Sequence, residues 1–273
     1  MKHLVLGSSG QVGQYLVQYL KSVNEEVLTF DIEDNGLYDL RVRNNLLLTD
    51  MIIKSDFVHF LAFDIGGSKY MAKYQNTYEF IDNNMRIMSN TFELLKSLNK
   101  PFIFASSQMS NMHHSTYGIL KSIGERHTDA LNGINVKFWN VYGYETNEEK
   151  SHVITDFINM SIKDKSIKMR TTGDEVRQFL FGEDCARALL ILAKNYFTLD
   201  RAKNYHITSF QWNSIMDIAN VISGLSGCEI IKGDKVDNVQ MGMVNDPDPY
   251  ILNYWEPKIS LDKGISILYN DSL

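Results

Sequence analysis

The chain predicts an α/β fold, a doubly wound parallel sheet with a smaller lobe interwoven toward the C-terminus. Three observations lead there. The first half alternates short apolar runs with longer amphipathic ones, the pattern of parallel strands covered by helices. Glycines follow the first apolar run and open the first amphipathic one. After Tyr142-Gly143-Tyr144 the alternation loosens, and the remainder carries Pro247, Pro249 and Pro257.

In chain order, the short apolar runs predict strands over His3–Leu6, Val27–Phe30, Phe57–Leu61, Phe102–Ala105 and Val136–Trp139. Between them, amphipathic spacing predicts helices over Gln11–Val23, from about Tyr70 to Leu98, and over Tyr117–Leu131. Pro101 stands where a helix has ended and a strand begins, a place suited to a residue that cannot continue a helix. Residues 145 to 178 read as polar and helix-like, with Val153–Ile162 the clearest apolar periodicity. Glu183–Lys194 reads as a helix, Asn204–Ile207 as a strand and Trp212–Ser223 as a further helix. No Gly/Ser-rich linker divides the chain, so the expected division is woven: residues 1–144 plus about 179–208 in one domain, about 145–178 plus 209–273 in the lobe.

Composition bounds the function. A chain of 273 residues with 44% hydrophobic and 22% charged residues can bury a full core as an ordinary globular protein. Net charge is -6 and no Lys/Arg run is dense enough for a nucleic-acid patch, which argues against a nucleic-acid partner. Two cysteines, Cys185 and Cys228, argue against a disulfide framework or a Cys-rich metal site. No apolar run approaches membrane-spanning length and no signal peptide opens the chain, so no membrane partner and a cytoplasmic location are expected.

Gly7-Ser-Ser-Gly10-Gln11-Val12-Gly13 follows a predicted strand and opens a helix. Glycines there allow a tight turn, let backbone amides approach a pyrophosphate and let helix pack on strand. The helix N-terminus adds a favourable field for phosphates. This predicts a Rossmann-like dinucleotide site; the bland alternative is a structural turn. Asp31 ends the second strand, 18 residues after Gly13, where an acid accepts hydrogen bonds from an adenosine ribose and repels a 2′-phosphate. NAD is therefore expected over NADP, unless Asp31 is a solvated loop acid beside Glu33 and Asp34. Asp39-Leu40 and Leu61-Ala62 are placed along the path of the adenine and the diphosphate-ribose. No Gly-Lys-Ser/Thr follows the glycines, which excludes a P-loop.

Tyr117 and Lys121 lie four apart in S-T-Y-G-I-L-K and share one helix face. An ammonium beside a phenol favours the phenolate and brings it toward the range of an acid/base catalyst. With a dinucleotide nearby, that pair suggests hydride transfer at an alcohol carbon. The alternative is a buried aromatic on its helix.

The pattern resembles the extended short-chain dehydrogenase/reductases that act on nucleotide sugars. G-S-S-G-Q-V-G, F-A-S-S-Q-M, Y-G-I-L-K, F-W-N-V-Y-G, R-Q-F-L-F-G-E-D and the W-E-P-K-I-S-L-D-K-G of residues 255–264 carry the resemblance, in order along almost the whole chain. The resemblance implies that Tyr117 is the acid/base, that Lys121 binds the nicotinamide ribose and acidifies Tyr117, and that Ser107 bonds the same sugar oxygen. Ser106 competes with Ser107 for that role. Asn140 would help place the sugar and Arg177 would meet the nucleotide diphosphate; Arg177 could instead pair with Asp174 or Glu175 at the surface. It also implies a homodimer built from the helix before Leu98 and the Tyr117 helix. His113 and His114 receive no role.

Two departures refine the expectation. Ser107 and Tyr117 are only ten residues apart, closer than is usual in the family, so the loop between them is trimmed and the rim there opens. Family members that dehydrate resemble one another in acidic residues just after the Ser/Thr, and C3/C5 epimerases in a Cys two positions on; here Gln108 and Met109 stand there. A thioether cannot exchange a proton. The expected act is hydride transfer at one carbinol, C4, giving a 4-keto sugar, with 4-epimerisation or 4-keto reduction as alternatives. Asp64-Ile65-Gly66-Gly67 is similar to the corresponding segment in enzymes of GDP-fucose and GDP-mannose metabolism, which favours a GDP-sugar, with Gly66 and Gly67 against the sugar or merely forming a turn. A non-catalytic dinucleotide-binding module is the reading from another class.

Overall fold

Parallel pairing buries a strand on both faces, which suits short, continuous apolar runs. The computed structural model describes residues 1–145, 147–235 and 245–273. Its first half supplies β1 (Lys2–Leu6), α1 (Gln11–Ser22), β2 (Glu26–Phe30), α2 (Leu46–Lys54), β3 (Phe57–Phe60), α3 (Ser68–Tyr74), α4 (Tyr78–Ser97), β4 (Phe102–Ser107), α5 (Thr116–Ala130) and β5 (Ile134–Phe138). The second half supplies β6 (Asn140–Tyr142), α6 (Val153–Lys163), β7 (Ser166–Lys168), β8 (Val176–Arg177), β9 (Phe179–Phe181), α7 (Gly182–Lys194), β10 (Tyr205–Ile207), β11 (Asn213–Ser214), α8 (Ile215–Ser226), β12 (Glu229–Ile231) and α9 (Leu261–Asp271). The main sheet is six-stranded, parallel throughout, in the order β10-β5-β4-β3-β1-β2.

The order reverses at β1: β2 lies on one side of it and β3 on the other. Helices leaving the two sides diverge, and a crevice opens at the carboxyl ends of the strands. Strand side chains alternate between two cores. Val5, Ile103 and Val136 join Leu16 of α1 and Leu189 of α7, while Leu4, Leu6, Phe60 and Phe104 join Phe92 of α4 and Leu120 of α5. A third core of Phe157, Ile167, Phe181, Ile218 and Ile265 belongs to the lobe. The lobe is tied down by Asp184 at the start of α7, whose carboxylate accepts the backbone N–H groups of Lys258 at 2.8 Å and Ile259 at 2.7 Å. Two stretches far apart in the chain thereby meet. Among the described residues no helix is long and apolar enough to cross a membrane.

Several element boundaries differ from the sequence expectation. The helix expected from about Tyr70 to Leu98 is two helices, because Thr77 is extended and its hydroxyl caps α4 by accepting the Phe80 N–H. The apolar spacing continues through the break and hides it. Helix α2 was not expected; Asn45 starts it by accepting the Leu47 and Leu48 N–H groups at 3.0 and 3.1 Å. Residues 145–178 are not broadly helical, since β7 and β8 follow α6 there, and the helix expected from Trp212 starts at Ile215 behind a Ser214–Asp217 capping box. The lobe expectation also spans residues 146 and 236–244, which lie outside the described residues.

Adjacent strands bring two fully buried imidazoles together, His3 Nδ1 and His59 Nε2 lying 3.0 Å apart. Burial pulls His3 down to about 4 against the pull of Glu25, and burial beside His3 lowers His59 as well. Both are neutral in the fold, whereas the unfolded chain takes up protons near pH 6.5. The unfolded state therefore binds more protons between about pH 6.5 and 4, and stability falls as pH drops through that window. Denaturant unfolding at pH 7, 6 and 5 is expected to show this loss, and a shallower one in His59→Gln. An equal acid slope in the two proteins would remove the imidazole pair as its source.

Candidate active site

The crevice forms a cleft of about 1640 Å³, and every residue assigned above to cofactor, sugar or chemistry lines it. At its floor the chain leaves β1 at Gly7, whose φ of +87° is left-handed and whose missing Cβ would lie 2.7 Å from the Ala62 backbone. Gly13 is equally constrained: a Cβ there would sit 2.0 Å from the Gly7 carbonyl oxygen. Gly10 is different. A Cβ would find only the Gly7 carbonyl, at 3.5 Å, so nothing within the chain requires glycine there. The space is left over the N-terminus of α1, which no side chain caps and whose first turn contains no acid.

These features fit a dinucleotide. The uncapped amides of Gln11, Val12 and Gly13 are the orphan donors that a phosphate satisfies. The Gln11 side-chain nitrogen is buried without a hydrogen-bond partner. Asp31 directly follows β2 and is tied to the glycine loop by accepting the Ser9 N–H at 3.0 Å, while its other oxygen accepts the Glu33 N–H at 3.0 Å. Leu61 and Ala62 extend β3 against the loop, the Leu61 N–H bonding Leu6 at 3.0 Å. Asp39 is less available than its position suggested. Arg41 binds its carboxylate through three contacts of 2.9 to 3.2 Å and holds it below the usual carboxylate range. Leu40 beside it is buried, its carbonyl accepting from Asn90 at 3.0 Å.

At the end of β4 the two serines diverge. Ser107 draws the Tyr117 phenol's pKa down and its hydroxyl accepts the Met109 N–H at 3.1 Å, while the Ser106 hydroxyl donates to Glu125 at 2.5 Å. The trimmed loop folds as a 3₁₀ turn over Gln108–Asn111, clamped from the C-terminal segment by Asn245, which donates to the Gln108 carbonyl at 2.8 Å. Ser115 caps α5 by accepting the Gly118 N–H, and this places Tyr117 in the first turn against Phe63, ring centroids 5.7 Å apart.

Lys121 shares that helix face but turns its ammonium to the Ala105 carbonyl at 2.6 Å and over the Phe63 ring at 3.7 Å. Burial therefore dominates the electrostatics of both groups. It pushes the Tyr117 phenol well above its ordinary range, with Ser107 pulling back, and brings the Lys121 amine down to about 7 against the pull of Glu125. Of the described residues, Ser107 and not Lys121 is what favours the phenolate in this arrangement.

Across the cleft, Gly67 caps α3 with its N–H already given to the Lys150 carbonyl at 2.9 Å, and a Cβ there would lie 2.1 Å from the Ser151 carbonyl oxygen. Gly66 meets Tyr70 and Lys150 in the same way. Close backbone approach accounts for both glycines without a sugar. Asn140 donates to the Gln178 carbonyl at 3.4 Å, and Arg177 to the Val176 carbonyl at 2.7 Å.

Sequence reasoning missed a polar group on the lobe side. Glu145 lies 2.5 Å from His152 Nδ1 and also accepts from Thr155 at 2.7 Å. Burial raises Glu145, but these bonds hold it below the usual carboxylate range overall. Asp64, bonded by Tyr70 at 2.7 Å and Lys150 at 2.9 Å, is a second such centre. Glu145 and His152 share the loop between β6 and α6 at an irregular seven-residue spacing, and Lys150 of that loop reaches Asp64 from 86 residues away, so no regular period marks either group.

A dinucleotide site at the strand switch point, with a Ser–Tyr–Lys constellation beside it, defines the class as a dinucleotide-dependent oxidoreductase fold. The chain belongs to the NAD dependent epimerase/dehydratase family, matching it over residues 3–208. It is therefore a member of an NAD-dependent family of nucleotide-sugar epimerases, dehydratases and reductases. It is 24% identical to a GDP-L-fucose synthase of Sinorhizobium fredii, over 97% of this chain and 93% of that protein. Its fold is similar to that of a GDP-6-OMe-4-keto-L-xylo-heptose reductase from C. jejuni, with a TM-score of 0.83, 18% identity, and 99% and 97% of the two chains covered. The UDP-glucose 4-epimerase of Thermus thermophilus in complex with NAD superimposes with a TM-score of 0.80 at 18% identity, covering 99% and 98%.

The two kinds of glycine are separable. Gly13→Ala should lose about 2–4 kcal/mol of unfolding free energy, since backbone must move. Gly10→Ala should fold with wild-type stability and yet lose NAD affinity, because its methyl fills the space above the helix N-terminus. Calorimetry for stability and titration for NAD check both; wild-type NAD affinity in Gly10→Ala would place the phosphates elsewhere.

Proposed function

We propose that this enzyme transfers hydride at C4 of a nucleotide-linked sugar, with a GDP-sugar as substrate and a 4-keto sugar as product. The observation that carries the reading is that Ser107 and Tyr117 line the same cleft with Ser107 drawing the phenol's pKa down, and with Met109 two residues from Ser107. Bound NAD supplies the hydride acceptor. Ser107 orients the C4 hydroxyl and Tyr117 exchanges its proton. Lys121 binds the ribose next to it, through an amine that burial has already brought to about 7. The uncapped start of α1 takes the pyrophosphate and Asp31 the adenosine ribose, with Leu61 and Ala62 beneath. We assign residues 1–144 with about 179–208 to the dinucleotide and about 145–178 with 209–273 to the nucleotide sugar, Asn140 meeting the sugar and Arg177 the diphosphate. The preference for a GDP-sugar draws support from the GDP-L-fucose synthase and the GDP-heptose reductase among its relatives and structural neighbours. The second also favours the same step run in reverse, as a 4-keto reductase.

Incubation with GDP-, UDP- and dTDP-sugars in D₂O separates the outcomes. Net oxidation gives a product lighter by two hydrogens, and 4-epimerisation one of unchanged mass with altered NMR couplings. Enzyme-dependent deuterium at a ring carbon would overturn the single-carbinol reading. Tyr117→Phe should lower turnover by about two to four orders of magnitude with NAD affinity nearly unchanged. Undiminished turnover would take the phenol out of the chemistry; no turnover of any sugar by the wild type would favour a non-catalytic binding module.

We further assign a cytoplasmic homodimer. Tyr78 is 72% exposed, and Ile81 and Met85 of α4 join Ile119 of α5 in an apolar surface suited to a four-helix contact. Met85→Glu is expected to convert a dimer to a monomer in light scattering, and a monomeric wild type would end this assignment.

A further inference from the structure

Behind the cleft, the last three residues of β4 meet three successive turns of α5. Ser107 draws the Tyr117 phenol's pKa down, the Ala105 carbonyl takes the Lys121 ammonium at 2.6 Å, and the Ser106 hydroxyl donates to Glu125 at 2.5 Å. Positions 117, 121 and 125 recur at the four-residue helical spacing, so Glu125 follows Lys121 as Lys121 follows Tyr117. Glu125 is itself contested. Lys137 of β5 lies 3.2 Å from its carboxylate and donates to Ser110 of the 3₁₀ turn at 2.9 Å. Lys121 is 3% exposed and the Lys137 and Glu125 side chains 14% and 16%, so these charges act on one another with little water between them.

We propose that Glu125 is a positioning residue, the counter-charge that keeps the Lys121 ammonium in place, and that Lys137 tunes it by competing for the same carboxylate. This deepens the role assigned to Lys121 and rests on it. The surroundings leave few rivals. From β4 Lys121 meets the Ala105 carbonyl and the Phe104 ring, from the loop after β3 the Phe63 ring, and on its own helix the Tyr117 ring, with Glu125 one turn further on acting through its charge. Helix α4 presents Met88 to this part of α5, at Gly124. Beyond Lys137, His206 of β10 and Asp248 of the C-terminal segment face the same group of charges.

The arrangement explains why two serines occupy the end of β4. Ser107 serves the cleft, and Ser106 orients the carboxylate behind it. It also accounts for the short loop, because Lys137 ties the turn after Ser107 to the same carboxylate that faces Lys121.

The test reads Lys121 directly, by ¹³C NMR of the lysine-labelled protein without sugar, its signal identified by its loss in Lys121→Met. The wild-type amine is expected to titrate near about 7. Glu125→Gln should lower that midpoint by about one pH unit, and Lys137→Met should raise it, since one removes an anion and the other a cation. Glu125→Asp should restore part of the shift, and the alkaline limb of kcat/KM should move in the same direction in each variant. A midpoint unchanged in Glu125→Gln, or moved the same way in both charge variants, overturns the proposal. Should the midpoints move as expected while Lys121→Met turns over sugar like the wild type, the assigned function fails and the counter-charge stands.

Discussion

The reversal of strand order at β1 is the constraint on which the rest depends. It forces the chain leaving β1 to pass against β3 so closely that Gly7 has no room for a Cβ beside Ala62, and it aims the start of α1 into open space. Several of the cleft's polar groups are then supplied by the carboxyl ends of neighbouring strands: Asp31 after β2, the Asp64 segment after β3, Ser107 of β4 and Asn140 after β5. A parallel sheet delivers these ends to one edge, so residues distant in sequence share a site without any local pattern.

Burial sets the chemistry of that site. A phenol and an amine on one helix face suggest mutual stabilisation of their charged forms, yet both are sequestered from water, and desolvation opposes both charges at once. The amine finds a carbonyl and an aromatic face, and the phenol finds Ser107. The Tyr117 phenol is thus held neutral, beside an amine that burial has brought to about 7.

The lobe is shaped by close backbone packing rather than by a linker. Gly66 and Gly67 accept the Lys150–Ser151 strand of chain, and Gly264 accepts the Tyr142 hydroxyl, where a Cβ would lie 2.1 Å away. Asp184 holds the segment after Trp255 through two backbone amides. These contacts bring Glu145, His152 and Lys150 to the lining of the cleft.

Much of this was legible in the residues alone. Apolar alternation identified five strands and the main helices to within a few positions, because burial on a sheet imposes a period that composition cannot disguise. The glycine spacing located the helix N-terminus, and Tyr117, Lys121 and Ser107 announced themselves by spacing and resemblance. Tertiary structure decided what spacing cannot encode: which of two adjacent serines turns to the phenol, that Arg41 claims Asp39, that Gly66 and Gly67 answer to a neighbouring backbone, and that Glu145 finds His152. Each depends on side-chain directions and loop conformations that have no period in the sequence, and the approach of Lys150–Ser151 to Gly66 and Gly67 depends also on how distant segments meet. Local periodicity carries no record of that assembly.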